Sequence, residues 1–174
     1  MRTTSPHIVL VGRPGVGKSS IGFALSRRLH RPFFDSDNHP ERMPQHPGRA
    51  TEEDEAACRE WIRVIGATSM PAVVAAPWVG VDEILADDPV RNEDLRPWIV
   101  VLDADDSVLD ERVGPIAEGD REDGGAVDER LARLREVAGA ELDTSDDSVQ
   151  DHVEALIAAW GDRIGGHPTG YDPA

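Results

Sequence analysis

Residues 12 to 19 read Gly-Arg-Pro-Gly-Val-Gly-Lys-Ser, which satisfies the pattern G-x-x-x-x-G-K-[ST]. Such a segment constrains the fold because it works only between a buried strand and the start of a helix. Both flanks have that character. His7 to Val11 is a short, nearly all-apolar run, as expected of a central parallel strand covered on both faces. From Ser19 to His30, Ile21, Leu25 and Leu29 recur at helical spacing around Ala24, Arg27, Arg28 and His30 suit the negative helix end, and Pro32 stops the run. An isolated pattern of this kind also arises as an ordinary glycine-rich turn; the strand before it and the helix after it favour a phosphate cradle. There the glycines let successive N–H groups face one concavity, the lysine reaches the β and γ phosphates, and the hydroxyl ligates Mg²⁺. Of the 18 basic residues, 17 are arginine and one is lysine, and that lysine is Lys18. A planar guanidinium is a poor substitute for a compact ammonium inside such a loop.

The chain has 174 residues, enough for one domain with one core. Its 34 acidic residues against 18 basic ones give a formal charge of −16, which repels nucleic acid backbones and anionic membranes and argues against both as partners. Cys58 is the sole cysteine, so neither an intramolecular disulfide nor a cysteine zinc site is expected. Without an apolar stretch of signal-peptide or membrane-spanning length, the expectation is a cytoplasmic protein.

Further elements alternate. Phe33 and Phe34 open a second strand that ends at Asp35-Ser36-Asp37, and His39 to Gly48 reads as a Pro-rich loop. Thr51 to Asp54 is a capped, acidic helix start, with Ala57, Trp61, Ile62 and Ile65 as its apolar face up to Gly66. Strands are expected at Ala72 to Ala76, Trp98 to Leu102 and Ala140 to Asp143. Helices are expected at Ser107 to Arg112, along Val127, Leu131, Leu134 and Val137, and along a core stripe of Val149, Val153, Leu156, Ile157 and Trp160. Val113 to Gly125 reads as a mobile loop. This order predicts a three-layer α/β/α P-loop NTPase with a mostly parallel five-stranded sheet. Residues 1–164 would form one domain, with a lid at about 113–125 and a loose tail at 165–174.

Ligands of such sheets bind at the carboxyl ends of the strands. Asp35 and Asp37 stand two apart at one such end. One carboxylate is suited to a Mg²⁺ water and the other to orienting or deprotonating a hydroxyl, although Asp-x-Asp before a loop also serves plain turn chemistry. His39 and His46 have no third partner at metal spacing. Trp78 is either a core residue or a pocket wall.

Gly12-x-Pro14-Gly15-x-Gly17-Lys18-Ser19-x-Ile21-Gly22-x-x-Leu25, with Phe34, Asp35 and Asp37 beyond it, resembles the opening of the shikimate kinase family of small P-loop kinases. Glu55-Ala56-Ala57-Cys58-Arg59 is similar to that family's Glu-x-x-Phe-Arg segment, and Arg130, eight residues before Ala138, falls at its second substrate arginine. Leu142-Asp143-Thr144 is similar to the family's strand end near the adenine, and Arg112 matches its base-stacking arginine. The resemblance implies an ATP-dependent, Mg²⁺-requiring kinase acting on a small carboxylated hydroxy metabolite, expected to be monomeric. Gly12, Pro14, Gly15, Val16, Gly17, Lys18, Ser19, Ser20 and Arg112 would bind ATP; Ser19 and Asp35 would place Mg²⁺. Lys18 and Asp37 would be catalytic, and Asp37, Arg59 and Arg130 would hold the substrate. Arg59 and Arg130 can equally be surface pairs in so acidic a chain, and Arg112 an ordinary helix-end arginine.

Two family features differ. Ala76-Pro77-Trp78 stands where the family has three glycines, and Gly114-Pro115-Ile116 stands where its lid carries an arginine before Pro-Leu-Leu; Arg121 is nearby in sequence. Asp37-Asn38-His39-Pro40, Met43 and Glu53-Asp54 faintly resemble the gluconokinases. A nucleotide-binding regulator without catalysis is the expectation from a different class.

Overall fold

In a computed structural model of the chain, residues 7–38, 51–66, 68, 70–79, 81, 97–114, 123–146 and 148–163 are described. His39, His46, the Pro115-Ile116 stretch, Arg121, most of the expected lid and the tail at 165–174 lie outside them. The strands are β1 (Ile8–Val11), β2 (Phe33–Asp35), β3 (Val73–Ala75), β4 (Trp98–Asp103) and β5 (Ala140–Asp143); the helices are α1 (Lys18–Leu29), α2 (Glu52–Gly66), α3 (Asp106–Val113), α4 (Gly124–Val137) and α5 (Val149–Arg163). The strands form one five-stranded sheet in the order β2-β3-β1-β4-β5, and every pairing among them is parallel.

Strand side chains alternate between the two faces, and the packing follows that period. Val9 and Val11 join Val74, Ile99 and Val101 under Cys58, Trp61 and Ile62 of α2 and Leu131 and Leu134 of α4. Ile8 and Leu10 join Val73, Val100 and Leu102 under Ile21 and Leu25 of α1, Leu109 of α3, and Val153, Leu156 and Trp160 of α5. The result is the expected three layers with the sheet in the middle. The order also fixes the ligand crevice. The chain leaves β1 toward β3 and β2 on one side and returns to β4 and β5 on the other, so the crevice opens at the carboxyl end of β1.

Several expectations shift. On α2 the stripe that Trp61 and Ile62 bury begins at Cys58, three, four and seven positions before Trp61, Ile62 and Ile65, and not at Ala57, which is exposed one position off it. Burial pushes the Cys58 thiol up to about 11, so it packs as a neutral apolar group. β4 runs one residue further than expected, which brings the Asp103 carboxylate into the sheet edge. Gly124 and Gly125, expected in the loop, form the first turn of α4, where the Asp123 side chain accepts from Gly125 N at 2.9 Å. Val149 begins α5 but is 41% exposed and lines a cavity, whereas Val153 one turn on is fully buried.

Trp98 and Trp160 stack with centroids 5.2 Å apart, and the chain enters β5 past them at Gly139. A Cβ on Gly139 would lie 2.4 Å from Trp98 Cδ1 and 2.5 Å from Trp98 Nε1. The indole is 2% exposed and has no room to yield. Gly139→Ala is therefore expected to lower stability by about 1–3 kcal/mol, the usual cost of overpacking. Urea unfolding followed by tryptophan fluorescence measures this; an unchanged midpoint would show that the indole moves freely.

Candidate active site

The loop after β1 is shaped by backbone no β-carbon would tolerate. Gly12, Gly15 and Gly17 have φ of 154°, 87° and 90°. At Gly12 a Cβ would meet the Leu102 carbonyl oxygen at 2.2 Å, and at Gly15 it would meet Val113 Cγ2 at 2.5 Å. The loop is thus wedged against β4 on one side and the end of α3 on the other. Thr144 closes the gap behind it: its Oγ1 lies 3.0 Å from Val16 O and 3.2 Å from Asp103 O.

Arginines hold this arrangement from outside. Arg13 donates to Asp106 Oδ1 at 2.6 Å, to Asp103 Oδ1 at 2.9 Å and to Ala104 O at 2.7 Å, tying the loop to the β4–α3 junction. Arg135 of α4 takes the other Asp103 oxygen at 3.1 Å and Glu141 at 2.6 Å. Arg112 reaches back from α3 to Gly15 O at 3.4 Å and Thr144 O at 2.6 Å. Sequence reasoning missed Arg13, because its partners lie some 90 residues away.

Lys18 opens α1 and folds over its own loop, donating to Gly12 O at 2.8 Å and Arg13 O at 3.2 Å. Burial pushes its ammonium down to about 8 from the ordinary 10.5, against the opposing pull of the Asp37 and then the Asp35 carboxylates. An anion arriving at this point would meet a positive charge that the protein alone solvates poorly. Asp35 and Asp37 sit as the sequence implied, at the end of β2. Asp35 accepts from Asp37 N at 3.0 Å and Asn38 Nδ2 at 3.2 Å, the turn chemistry available to Asp-x-Asp, and this leaves the Asp37 side chain exposed toward the loop.

A cavity of about 490 Å³ joins these pieces, within the ~300–1,000 Å³ range of small-molecule sites. Its floor is Pro14 to Ile21. Asp37, Pro77 and Trp78 line one wall, and Arg112, Val113, Thr144, Val149 and His152 another. Of the expected site residues, the loop from Pro14 to Ser20, Asp37 and Arg112 line the cavity; Gly12 lies beneath as the acceptor for Lys18, and Asp35 stands behind Asp37. Arg130 is one side chain removed. Its guanidinium stacks 5.0 Å from the Trp78 ring centroid and donates to Trp78 O at 3.5 Å. Trp78, 4% exposed, is therefore both core and pocket wall. Arg59 lies 3.7 Å from Glu55 on its own helix and is not among the described residues that line the cavity.

Comparisons with known proteins show a likeness in sequence and in fold. A family model described as shikimate kinase matches residues 14–60. A shikimate kinase from Desulforudis audaxviator is 33% identical over 111 residues, 62% of this chain and 58% of that protein. The first curated relatives, also shikimate kinases, match over only about a fifth of their length, 20% and 22%. Among solved structures, a shikimate kinase from Acinetobacter baumannii in complex with shikimate superposes with a TM-score of 0.68 at 22% identity, over 89% of this chain and 92% of that one. The chain is similar to the shikimate kinases. A gluconokinase from Sinorhizobium meliloti shares the fold as well, with a TM-score of 0.60 at 22% identity over 94% of this chain and 95% of that one. The shikimate kinase likeness in sequence is concentrated where the loop, Asp37 and the start of α2 lie, and the fold likeness spans nearly the whole chain.

The Lys18 ammonium gives the site a pH signature. Between pH 8 and 10.5 the unfolded chain holds a proton at Lys18 that the folded chain has lost, so this group makes stability rise with pH in that window. Below it both states are charged and the cost of burying the charge is constant. Lys18→Met removes the cost at every pH. The stability of Lys18→Met relative to wild type should therefore fall by about 1–3 kcal/mol between pH 8 and 10.5. Urea midpoints across that range measure it, and a flat difference would mean that the ammonium is well solvated.

Proposed function

We propose that the chain is an ATP-dependent kinase that transfers the γ-phosphate to a hydroxyl of a small anionic metabolite, with shikimate the first candidate. The observation that carries this reading is the single cavity in which a phosphate-cradling loop faces a carboxylate, Asp37, on one side and Arg112 with Thr144 on the other. In this reading the loop amides and Lys18 hold the β and γ phosphates, and Ser20 completes the first helical turn beside them. Arg112 lies against the base. Asp37 orients the attacking hydroxyl and takes its proton, while Arg130, with Arg59, holds the substrate carboxylate by charge-assisted hydrogen bonds. Positioning and charge neutralisation then supply most of the rate.

Mg²⁺ fits the donor set. Ser19 and Asp35 offer hard oxygens beside the loop, and Mg²⁺ commonly takes only one or two protein ligands, the rest coming from phosphate and water. When bound, it neutralises charge on the transferring phosphoryl group.

A second reading, a sugar-acid kinase similar to gluconokinase, is favoured by the wall at Pro77 and Trp78. Pro77 has no N–H, and Trp78 presents a ring rather than backbone donors, so the acceptor is held differently from one bound by a glycine turn. The fold likeness to the Sinorhizobium meliloti protein accords with it.

Coupled ADP release with Mg-ATP, against a panel of shikimate, gluconate and related hydroxy acids, separates the readings. Lys18→Ala should lower turnover by about 10²-fold or more. Arg130→Ala should raise the acceptor KM by about tenfold or more while ATP affinity stays near wild type. Equal losses for both substrates would refute the assigned role. ATP binding without turnover on any acceptor would replace both kinase readings with a nucleotide-binding regulator.

A further inference from the structure

The kinase reading gives no role to Arg13, the second residue of the loop. Its guanidinium is committed to protein: Nη1 donates to Asp106 Oδ1 at 2.6 Å, and Nη2 to Asp103 Oδ1 at 2.9 Å and Ala104 O at 2.7 Å. Its Nε is buried with no hydrogen-bond partner among the described residues, so the arrangement is held although one donor goes unbonded. Arg13 is also not among the described residues that line the cavity, whose floor begins one position later at Pro14. Nor does the cluster around it attract an anion. Arg13 and Arg135 face Asp103, Asp106 and Glu141, two guanidiniums against three carboxylates, which leaves a net charge of −1.

What Arg13 supplies is geometry. Its own carbonyl accepts from Val16 N at 3.3 Å and from Lys18 Nζ at 3.2 Å, so the turn of the loop and the enclosed ammonium both depend on where this residue sits. The anchor is itself fixed. Asp103 Oδ1 accepts from Ala104 N at 3.0 Å and Oδ2 from Arg135 at 3.1 Å, and the carbonyl of the preceding Leu102 lies against Gly12. Gly12 and Arg13 are therefore locked to residues 102–104, the first by close approach and the second by charge-assisted hydrogen bonds. A loop fixed in this way before a ligand arrives loses less freedom when it binds one.

We infer that Arg13 is a positioning residue: by clamping the loop to Asp103 and Asp106 it holds its own carbonyl, and with it Lys18, in the arrangement that receives phosphate, without touching the phosphate itself. This rests on the phosphate-binding reading of the loop. A clamp and an attracting charge predict opposite signs. Deleting a carboxylate near an anion site strengthens anion binding where charge decides, whereas deleting the anchor of a clamp weakens it. Calorimetric titrations with ADP and with inorganic pyrophosphate in Mg²⁺ buffer are run on wild type, Arg13→Met, Arg13→Lys, Asp103→Ala and Asp106→Ala, with urea unfolding to establish that each is folded. Arg13→Met should lower both affinities alike, by about three- to tenfold. Asp103→Ala should also lower them, and Asp106→Ala, which removes a largely exposed carboxylate, should do so less. Arg13→Lys keeps the charge without the planar fork and should recover only part of the loss. Combining Arg13→Met with Asp103→Ala should cost no more than the worse of the two alone. Unchanged affinities in a folded Arg13→Met overturn the inference, as do a gain in Asp103→Ala or Asp106→Ala, full binding in Arg13→Lys, or a loss confined to ADP. In each of those cases the wild-type loop still binds phosphate and its reading stands; if wild type binds neither ligand, both fall.

Discussion

The close approach of Gly12 to the end of β4 is the constraint on which the rest of this site depends. A strand cannot normally bring its next residue within 2.2 Å, measured from a would-be Cβ, of a neighbour's carbonyl oxygen. Because glycine permits it, the loop packs against the end of β4 and the end of α3, and the Gly12 and Arg13 carbonyls accept from Lys18. The same approach sets Arg13 against Asp103 and Asp106, so that the loop is braced by charge on its outer side. Both arginines nearest the loop are thus engaged by protein: Arg13 by carboxylates and Arg112 by carbonyls. The charge left least compensated is the enclosed ammonium of Lys18, which explains why a chain of net charge −16 can still offer an attractive place to phosphate.

What was legible from the sequence is what local chemistry dictates. The loop, the two layers of alternating strand residues and the Asp-x-Asp turn each follow from residues a few positions apart. Contacts across the fold were not. Arg13 looks like an arbitrary loop residue until β4 delivers Asp103, and Trp78 could not be assigned to core or wall because it is both. The helical period placed Val149 on the core stripe of α5, and the period is right, but no period reveals that its first residue faces a cavity instead of the core. His152 sits on the same first turn and carried no signal. A lone histidine next to an apolar stripe reads as an ordinary helix residue until burial and the cavity are known. On α2, Ala57 and Cys58 both satisfy helical spacing to Trp61, and only packing chose the larger side chain.

On the proposed kinase reading, the acceptor side follows a different logic from the nucleotide side. There the wall is a buried tryptophan with an arginine stacked on it, an arrangement worth about 0.5–2 kcal/mol depending on desolvation. The stack holds the Arg130 guanidinium against the ring, and on that reading it would reduce the entropy lost when a carboxylate binds. It also sets a competition. An anionic acceptor must draw on a guanidinium already engaged by the Trp78 ring and carbonyl, so a weak or poorly aligned carboxylate gains little. A wall of this kind discriminates by geometry more than by charge. On that reading, acceptors that reach Arg130 alongside the indole would be favoured over those that would displace it. Loop variation at such a wall is one way in which a single scaffold can take up different acceptors.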